Sequence, residues 1–221
     1  MVTVDTGLVK LDRSADHLEI RLNRPDSLNA LVPEMIDGLH DVFTQISDEA
    51  GLGVLITGSG RVTSAGMDTE IVAGDYHEEY PELDATLQDV YRLIETHPGP
   101  VAIAGKGALV GAAAIVSLSC EFVVLSDDAT FVIPEVKYGI ASCRAADQLL
   151  DLVGRKPAAE LLLTGEEIDA RRVRSLELAT DVVPADSVEG RARELLATVG
   201  ENDDETVTQL IELLNRRGDE A

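Results

Sequence analysis

VAIAGKGALVGAAAIVSLSCEFVVLSDDATFVIPE, residues 101–135, is the stretch of sequence that decides the fold. Its apolar start, Val101–Ala104, predicts a short buried strand, and an apolar helical stretch follows to about Ser119. Two further apolar runs, Phe122–Leu125 and Phe131–Ile133, predict two more strands. The stretch therefore predicts a helix enclosed between buried strands.

Small residues cluster where the first of these strands turns into the helix. They are Gly105, Gly107, Ala108, Gly111, Ala112, Ala113 and Ala114. Small side chains at such a turn let a ligand approach the backbone closely, and the start of a helix offers unpaired N–H groups that suit an oxyanion. The same composition also fits a well-packed buried helix whose alanines allow close contact, so both interpretations stay open at this point.

A carboxylate follows the third strand, because Pro134 ends that strand and Glu135 comes next. Oxyanion donors together with one positioned base form the outline of a catalytic site. A second candidate loop, Arg61–Asp68, follows a strand and a glycine turn, and its Ala65-Gly66 pair lets the backbone approach a ligand. Glu135 could alternatively be a surface carboxylate paired with Lys137 or Arg144, and pairs of that kind contribute little.

The rest of the chain predicts further strands and helices. Val2–Leu11 and His17–Leu22 read as strands joined by a turn at Asp12–Asp16, and a helix runs from Pro33 to about Asp48. Strands are also predicted at 53–57 and 180–183, and helices at 83–97, 145–153, 157–163, 170–176, 186–199 and 204–217. This order favours parallel strand pairing with crossover helices.

The length of 221 residues indicates one large domain, or one domain with a small helical appendage. We divide the chain into a core domain, residues 1–185, and a short C-terminal helical region, residues 186–221. Cys120 and Cys143 are predicted to be buried free thiols, and the histidines show no metal-ligand spacing, so no metal is expected. No apolar run approaches the length of a membrane span, so we expect a soluble cytoplasmic protein that does not bind membranes.

The net charge of −23, from 41 acidic and 18 basic residues, argues against nucleic-acid binding, because phosphate contacts need basic residues. The acidic residues are spread along the chain, so they repel one another at ordinary salt concentrations. At molar salt the Debye length falls to about 3 Å, which screens this repulsion. We therefore expect a halophilic protein from a cytoplasm with very high salt.

Several motifs, taken together and in order, resemble the crotonase (enoyl-CoA hydratase/isomerase) superfamily. Four parts of the chain resemble four of its signatures: Asn23-Arg24-Pro25 with Asn29-Ala30-Leu31, Ser64-Ala65-Gly66-Met67-Asp68, Gly107 with Gly111-Ala112-Ala113, and Pro134-Glu135-Val136 with Gly139-Ile140. A fifth part, Ala170–Ala179 with Asp181-Val182-Val183, loosely resembles a fifth signature. The resemblance covers roughly residues 5–185. It implies an α/β fold, a crotonase-like spiral of strand–strand–helix (ββα) units with C-terminal helices, usually assembled as a homotrimer or hexamer.

The resemblance also implies a shared chemical device. In this superfamily two backbone N–H groups bind the thioester oxygen of an acyl-CoA and stabilise an enolate; by position the donors are those of Met67 and Ala112. The neighbouring residues Ala65, Gly66, Asp68, Gly111 and Ile115 are then expected to contact the substrate. Coenzyme A enters as part of the acyl-CoA substrate, and no separate cofactor is expected. Because CoA is polyanionic, Arg24 and Arg61 are candidates for contacts with its nucleotide, although both could be surface arginines that screen nearby acid.

The chain departs from the superfamily pattern where hydratases carry the first of two catalytic glutamates, because that position is Ile115. The second glutamate is present as Glu135. A single glutamate favours a 3-enoyl-CoA to 2-enoyl-CoA isomerase. A hydratase is the alternative, if one of the loop acids Asp75, Glu78 or Glu79 replaces the missing carboxylate, and an acyl-CoA decarboxylase or a non-catalytic acyl-CoA binder is a further one. A second departure is Ala141-Ser142-Cys143-Arg144, which replaces the usual proline and glycines.

We predict that added KCl stabilises the folded chain, because salt screens the repulsion within a protein of net charge −23. Urea is uncharged, so urea unfolding measured at low and at molar KCl reports the effect on the free energy of unfolding. The prediction fails if the urea midpoint is the same at both salt concentrations.

Overall fold

The computed structural model describes residues 7–14, 17–73 and 80–215. The first two strands, β1 (Val9–Arg13) and β2 (His17–Leu22), form an antiparallel pair with Val9 opposite Leu22. Asp12 and Arg13 pair with β2, so the prediction that they belong to the turn was wrong. The alternation of apolar and charged residues in His17–Leu22 is typical of such a strand.

A six-stranded sheet forms the centre of the fold. After β2 it contains β3 (Gly53–Gly58), β4 (Val101–Gly105), β6 (Phe122–Ser126) and β9 (Asp181–Val183), in the order β1-β2-β3-β4-β6-β9. All neighbours after the β1–β2 pair run parallel, as the alternation of strands and helices predicts. Parallel strands are usually covered on both faces, and β3 and β4 are buried along their whole length.

A second, three-stranded sheet carries the turn rich in small residues that precedes the helix at Ala112. It consists of β5 (Ala108–Val110), β7 (Thr130–Val132) and β8 (Ile168–Asp169), with β5 parallel to β7 and β8 antiparallel to β7. Neither β5 nor β8 was predicted, because β5 lies within the run of small residues that was interpreted as a turn into a helix, and β8 has only two residues. The pairing of β5 with β7 brings Val110 beside Val132, so the chain segments after these two strands leave the sheet at the same edge.

Helices cover the sheets. In the first half of the chain they are α1 (Pro33–Gln45), α2 (Thr69–Val72) and α3 (Pro81–Glu95), and α1 and α3 each begin with a proline, which suits the first turn of a helix. The following helices are α4 (Ala112–Leu118), α5 (Cys143–Val153), α6 (Arg155–Thr164), α7 (Ala170–Ser175), α8 (Val188–Val199) and α9 (Asp204–Asn215). The predicted helices are thus present, and most boundaries shift by one to three residues.

Helix α8 packs directly on the central sheet. Its buried residues Val188, Ala192 and Leu196 form an apolar cluster with strand residues that include Leu55 and Val124. In α9, Val207 and Ile211 are buried, whereas Leu210, Leu213 and Leu214 are exposed. The division of the chain at residue 185 remains a prediction.

Glu189, in the first turn of α8, connects that helix to the sheet. Its carboxylate accepts hydrogen bonds from Lys106 Nζ at 2.7 Å, from Arg21 Nη2 at 2.9 Å and from the Thr57 hydroxyl at 3.1 Å. Lys106 Nζ also donates to the carbonyl of Gly58 at 2.9 Å. Burial alone would raise the pKa of Glu189, but the hydrogen bonds from Arg21 and Lys106 outweigh it and hold that pKa well below its usual range.

We predict that Glu189→Gln destabilises the protein by about 1–3 kcal/mol at pH 7, since it removes charged hydrogen bonds from a partly buried site. The lowered pKa of Glu189 means that its stabilising contribution is present above the ordinary glutamate pKa of about 4.3 and is lost as the pH falls below it. Urea unfolding from pH 7 to acid should therefore show a weaker pH dependence for Glu189→Gln. The exposed Glu201→Gln is the control, and an identical pH dependence in both variants would contradict the prediction.

Candidate active site

The loop that contains Gly66 and Met67 is held beside Leu31 by backbone hydrogen bonds. The N–H of Leu31 donates to the carbonyl of Gly66 at 2.7 Å, and the N–H of Asp68 donates to the carbonyl of Leu31 at 2.9 Å. In a parallel bridge of this kind the residue between the two bonded groups directs its own N–H to the other side. The N–H of Met67 therefore points away from Leu31.

The same loop packs tightly against the end of β5. Gly66 has a φ of +80°, and a Cβ atom at this position would lie 2.3 Å from the carbonyl oxygen of Val110 and 3.6 Å from the nitrogen of Gly111. Only glycine fits such a contact and such a backbone conformation. The contact places Met67 next to the turn at Gly111.

Helix α4 begins immediately after that turn. Gly111, with a φ of +52°, precedes it, and the N–H of Gly111 donates to the carbonyl of Val132 at 2.8 Å, which fixes the turn to β7. Ala112 is the first residue of the helix, where an N–H has no acceptor within the helix. Met67 and Ala112 thus bring two backbone donors to one place, as the sequence resemblance implies.

A cavity of about 370 Å³ lies beside these two residues. Of the predicted site residues, those that line it are Ala65, Gly66, Met67, Gly111, Ala112, Ile115 and Glu135. Its volume is in the range of small-molecule sites. The structure therefore brings together the predicted oxyanion donors and the predicted base.

Glu135 is the carboxylate nearest to the glycine turn. It begins a 3-10 helix, Glu135–Tyr138, and a Cβ added to Gly111 would lie 3.1 Å from Glu135 Oε1. Glu135 Oε2 is buried and has no hydrogen-bond partner within the described chain. Burial raises the pKa of Glu135, and the hydrogen bond from its own backbone N–H only partly opposes this effect. The described residues contain no ion pair between Glu135 and Lys137 or Arg144, so the alternative of a structural surface pair was wrong.

Apolar side chains form much of the cavity wall. Ile115 is only 4% exposed, and it lies one helical turn after Ala112 on α4. Met67, Leu87, Tyr91, Val110 and Ile140 also line the cavity. This wall explains the buried carboxylate of Glu135, and Ile115 itself offers no group that could orient a water molecule.

Three predicted substrate-binding residues do not line the cavity. Arg24 Nη1 forms an ion pair with Asp68 Oδ2 at 2.6 Å and donates to the carbonyl of Ala30 at 3.2 Å. The hydrogen bond from Arg24 lowers the pKa of Asp68, whose side chain also accepts from the N–H of Glu70 and so caps α2. Arg61 is exposed. Contacts of Arg24 and Arg61 with CoA therefore remain predictions, and the structure gives Arg24 and Asp68 a role in holding the loop.

Sequence reasoning missed the face of α3 that closes the cavity. Asp84, Leu87, Gln88 and Tyr91 all line it, at the three- and four-residue spacing of one helix face. The buried Tyr91 hydroxyl donates to the carbonyl of Ala112 at 3.5 Å, which places α3 against the start of α4. The polar residues within an otherwise apolar stripe were the signal that could have indicated this face.

The remaining chemical predictions have mixed outcomes. Cys120 is largely buried, but Cys143 is exposed and lines the cavity, so the prediction of two buried thiols was wrong for Cys143. The loop acids Asp75, Glu78 and Glu79 lie outside the described residues. Within residues 7–14, 17–73 and 80–215, no group of three potential ligands is arranged for a metal ion. In the same ranges, every helix is too short or too polar to cross a lipid bilayer.

Comparison with known proteins identifies the family. The family model for enoyl-CoA hydratase/isomerase matches residues 12–221. A protein of Thermus thermophilus that carries the enoyl-CoA hydratase name is 30% identical over 210 residues, which are 91% of this chain and 78% of that protein. Rat enoyl-CoA hydratase domain-containing protein 3 is 33% identical over 178 residues, which are 78% of this chain and 58% of that protein.

Solved structures agree with this result. An enoyl-CoA hydratase from Polaromonas sp. JS666 has a TM-score of 0.87 at 27% identity, over 96% of this chain and 85% of that one. A Thermobifida fusca protein with the same enzyme name, solved in complex with CoA, has a TM-score of 0.87 at 26% identity, over 97% of this chain and 86% of that one. The fold class predicted from the sequence is confirmed.

The chain belongs to the enoyl-CoA hydratase/isomerase family. It is an acyl-CoA enzyme of the hydratase/isomerase type.

We predict that Gly66→Ala lowers kcat on an enoyl-CoA by about 10²–10³-fold, the usual cost of losing one oxyanion donor. The added methyl group would collide with the carbonyl of Val110 and turn the N–H of Met67 out of position. The control is Gly190→Ala in α8, where a Cβ would meet no atom within 4 Å. Steady-state assays on both variants test this, and full activity of a folded Gly66→Ala protein would exclude the loop as a donor.

Proposed function

We propose that this protein is an enoyl-CoA isomerase that moves the double bond of a 3-enoyl-CoA to the 2-position with a single glutamate base. The observation that carries the proposal is that the buried carboxylate of Glu135 and the apolar side chain of Ile115 line one cavity, together with the proposed donors Met67 and Ala112. One base can shuttle one proton, and nothing at Ile115 can activate water.

The proposed reaction has two proton transfers. The thioester oxygen accepts hydrogen bonds from the N–H groups of Met67 and Ala112, which stabilise the negative charge of an enolate. The carboxylate of Glu135 removes a proton from C2, and the electron pair moves into the enolate. The same proton returns from Glu135 to C4, so the double bond shifts from C3–C4 to C2–C3 and Glu135 is a carboxylate again.

The environment of Glu135 supports this role. A carboxylate with a raised pKa is a stronger base than one in water, and catalytic bases work best when their pKa approaches the operating pH. The apolar wall keeps water away from the enolate, which strengthens the hydrogen bonds from the two backbone donors. The arrangement thus favours proton transfer within the cavity over addition of water.

The proposed partner is an acyl-CoA thioester, with CoA as part of the substrate and no further cofactor. The CoA complex of the related Thermobifida fusca protein supports this ligand. We also propose that the protein self-associates as a homotrimer or hexamer. Two reasons support this: members of the family usually assemble in this way, and helix α9 exposes Leu210, Leu213 and Leu214.

Hydration of a 2-enoyl-CoA is the second candidate function. The related proteins are named as hydratases, and Asp84 adds a second carboxylate to the cavity wall. The loop acids Asp75, Glu78 and Glu79 lie outside the described residues. Among the described residues, Asp84 is the candidate for activating water. If this chain is a hydratase, its second catalytic carboxylate would therefore reach the substrate from Asp84, near the start of α3, and not from the position of Ile115.

We predict that Glu135→Gln lowers isomerisation of a 3-enoyl-CoA by about 10²–10⁴-fold, the usual contribution of a general base, while acyl-CoA binding persists. The raised pKa of Glu135 implies that kcat/KM of the wild type increases with pH through a value above the ordinary 4.3 or so, because the carboxylate is the active form. Parallel assays with 3-enoyl-CoA and 2-enoyl-CoA measure isomerase and hydratase activity.

The exposed Glu166→Gln serves as the matched control for that experiment. Full isomerase activity in Glu135→Gln would transfer the base role to another residue. Turnover of 2-enoyl-CoA to the hydroxy product without isomerisation would favour the hydratase. Binding of both thioesters with no turnover would leave a non-catalytic acyl-CoA binder.

A further inference from the structure

The wall of the same cavity contains a cation that the proposed proton transfer does not use. Arg144 lies in the first turn of α5 and lines the cavity, within the segment where the sequence departs from the family pattern. Its one ionic partner within the described chain is Glu95, at the end of α3. Arginine is rarely placed in an apolar pocket without a function or a full set of partners.

The guanidinium of Arg144 is incompletely satisfied. It carries five N–H donors, and Glu95 contacts it through Nη2 alone. Nε and Nη2 are both buried, and neither has a hydrogen-bond partner within the described chain, so the contact of Nη2 with Glu95 is an ion pair alone. The other oxygen of Glu95 accepts from Gln148 Nε2 at 2.7 Å, so Glu95 divides its charge between two partners. Arg144 therefore retains capacity to bind a further acceptor.

Helix α3 shows where Arg144 lies relative to the reacting atoms. Tyr91 contacts the carbonyl of Ala112, which belongs to the oxyanion turn, and Glu95 follows Tyr91 by one helical turn, about 6 Å along the axis. Asp84 lies about 16 Å from Glu95 in the opposite direction along α3. Measured along α3, Asp84 and the Glu95 that contacts Arg144 thus lie on opposite sides of Tyr91, and Tyr91 is nearer to Glu95.

We propose that Arg144 is a specificity-determining residue that binds a carboxylate at the far end of the acyl group. The substrate class would be the CoA thioesters of short unsaturated dicarboxylic acids, whose second carboxylate could reach Arg144 while the thioester oxygen occupies the oxyanion turn. An arginine binds a carboxylate through charge-assisted, often paired hydrogen bonds. This inference rests on the proposed acyl-CoA function and names its substrate.

The competing interpretation is that Arg144 and Glu95 form a purely structural pair. That interpretation predicts equal effects of Arg144 on ligands with and without a terminal carboxylate. A matched pair of thioesters separates the two interpretations, because hexanedioyl-CoA and hexanoyl-CoA differ only in a terminal carboxylate in place of a methyl group.

Isothermal titration calorimetry with these saturated thioesters needs no turnover. We expect the wild type to bind hexanedioyl-CoA about 10- to 100-fold more tightly than hexanoyl-CoA, the range that a charged hydrogen bond supplies. Arg144→Gln should abolish that preference, and the exposed Arg155→Gln should retain it. Equal affinity of the wild type for both thioesters overturns the proposal, and so does an equal loss of both in Arg144→Gln.

Glu95→Gln provides a test of opposite sign. Removal of the competing carboxylate should strengthen the binding of hexanedioyl-CoA and leave hexanoyl-CoA unchanged, whereas a structural pair predicts no gain. If Arg144→Gln fails to fold, the wild-type preference and Glu95→Gln still decide the matter.

Turnover of 3-hexenedioyl-CoA and 3-hexenoyl-CoA then separates this proposal from the proposed function. A carboxylate preference in binding without isomerisation of either compound leaves the subsite intact and rejects the isomerase. Isomerisation of both compounds with equal kcat/KM, together with equal binding, rejects the subsite and leaves the isomerase intact.

Discussion

The close contact between Gly66 and the end of β5 is the constraint on which the site depends. A Cβ at Gly66 would lie 2.3 Å from the carbonyl of Val110, so the two loops meet backbone to backbone. Leu31 fixes one side of this contact through two hydrogen bonds, and Val132 fixes the other through Gly111. Two backbone donors from distant parts of the chain can stay aligned only if both loops are held in this way.

The second requirement is a dry environment for one carboxylate. Glu135 emerges beside the glycine turn because β5 and β7 pair in parallel, and α4 then places Ile115 in the wall of the same cavity. The apolar wall raises the pKa of Glu135, and it includes Ile115 at the position where hydratases of this family carry their first catalytic glutamate. The raised pKa of Glu135 and the absence of a carboxylate at position 115 thus both follow from apolar residues in one wall.

Three basic side chains of this acidic protein form ion pairs that hold elements of the fold together. Lys106 and Arg21 surround Glu189 and connect α8 to the sheet, and Arg24 holds Asp68 in the loop that carries Met67. In each case the basic side chain is paired with a carboxylate of its own fold. Arg144 differs because, among the residues that the structure describes, its carboxylate partner Glu95 leaves buried donors of the guanidinium without a hydrogen bond.

The sequence by itself determined the strands and helices with clear periodicity, the two loops that carry Met67 and Ala112, the proposed base Glu135 and the apolar residue Ile115. These depend on local patterns or on motifs of a few residues. Only the tertiary structure decided the short strands β5 and β8, the pairing of Arg24 with Asp68, the cavity face of α3 and the position of Arg144 beside Glu95. Each of these is a contact between residues far apart in the chain, and no local pattern encodes which distant side chain will complete a hydrogen bond or close a cavity.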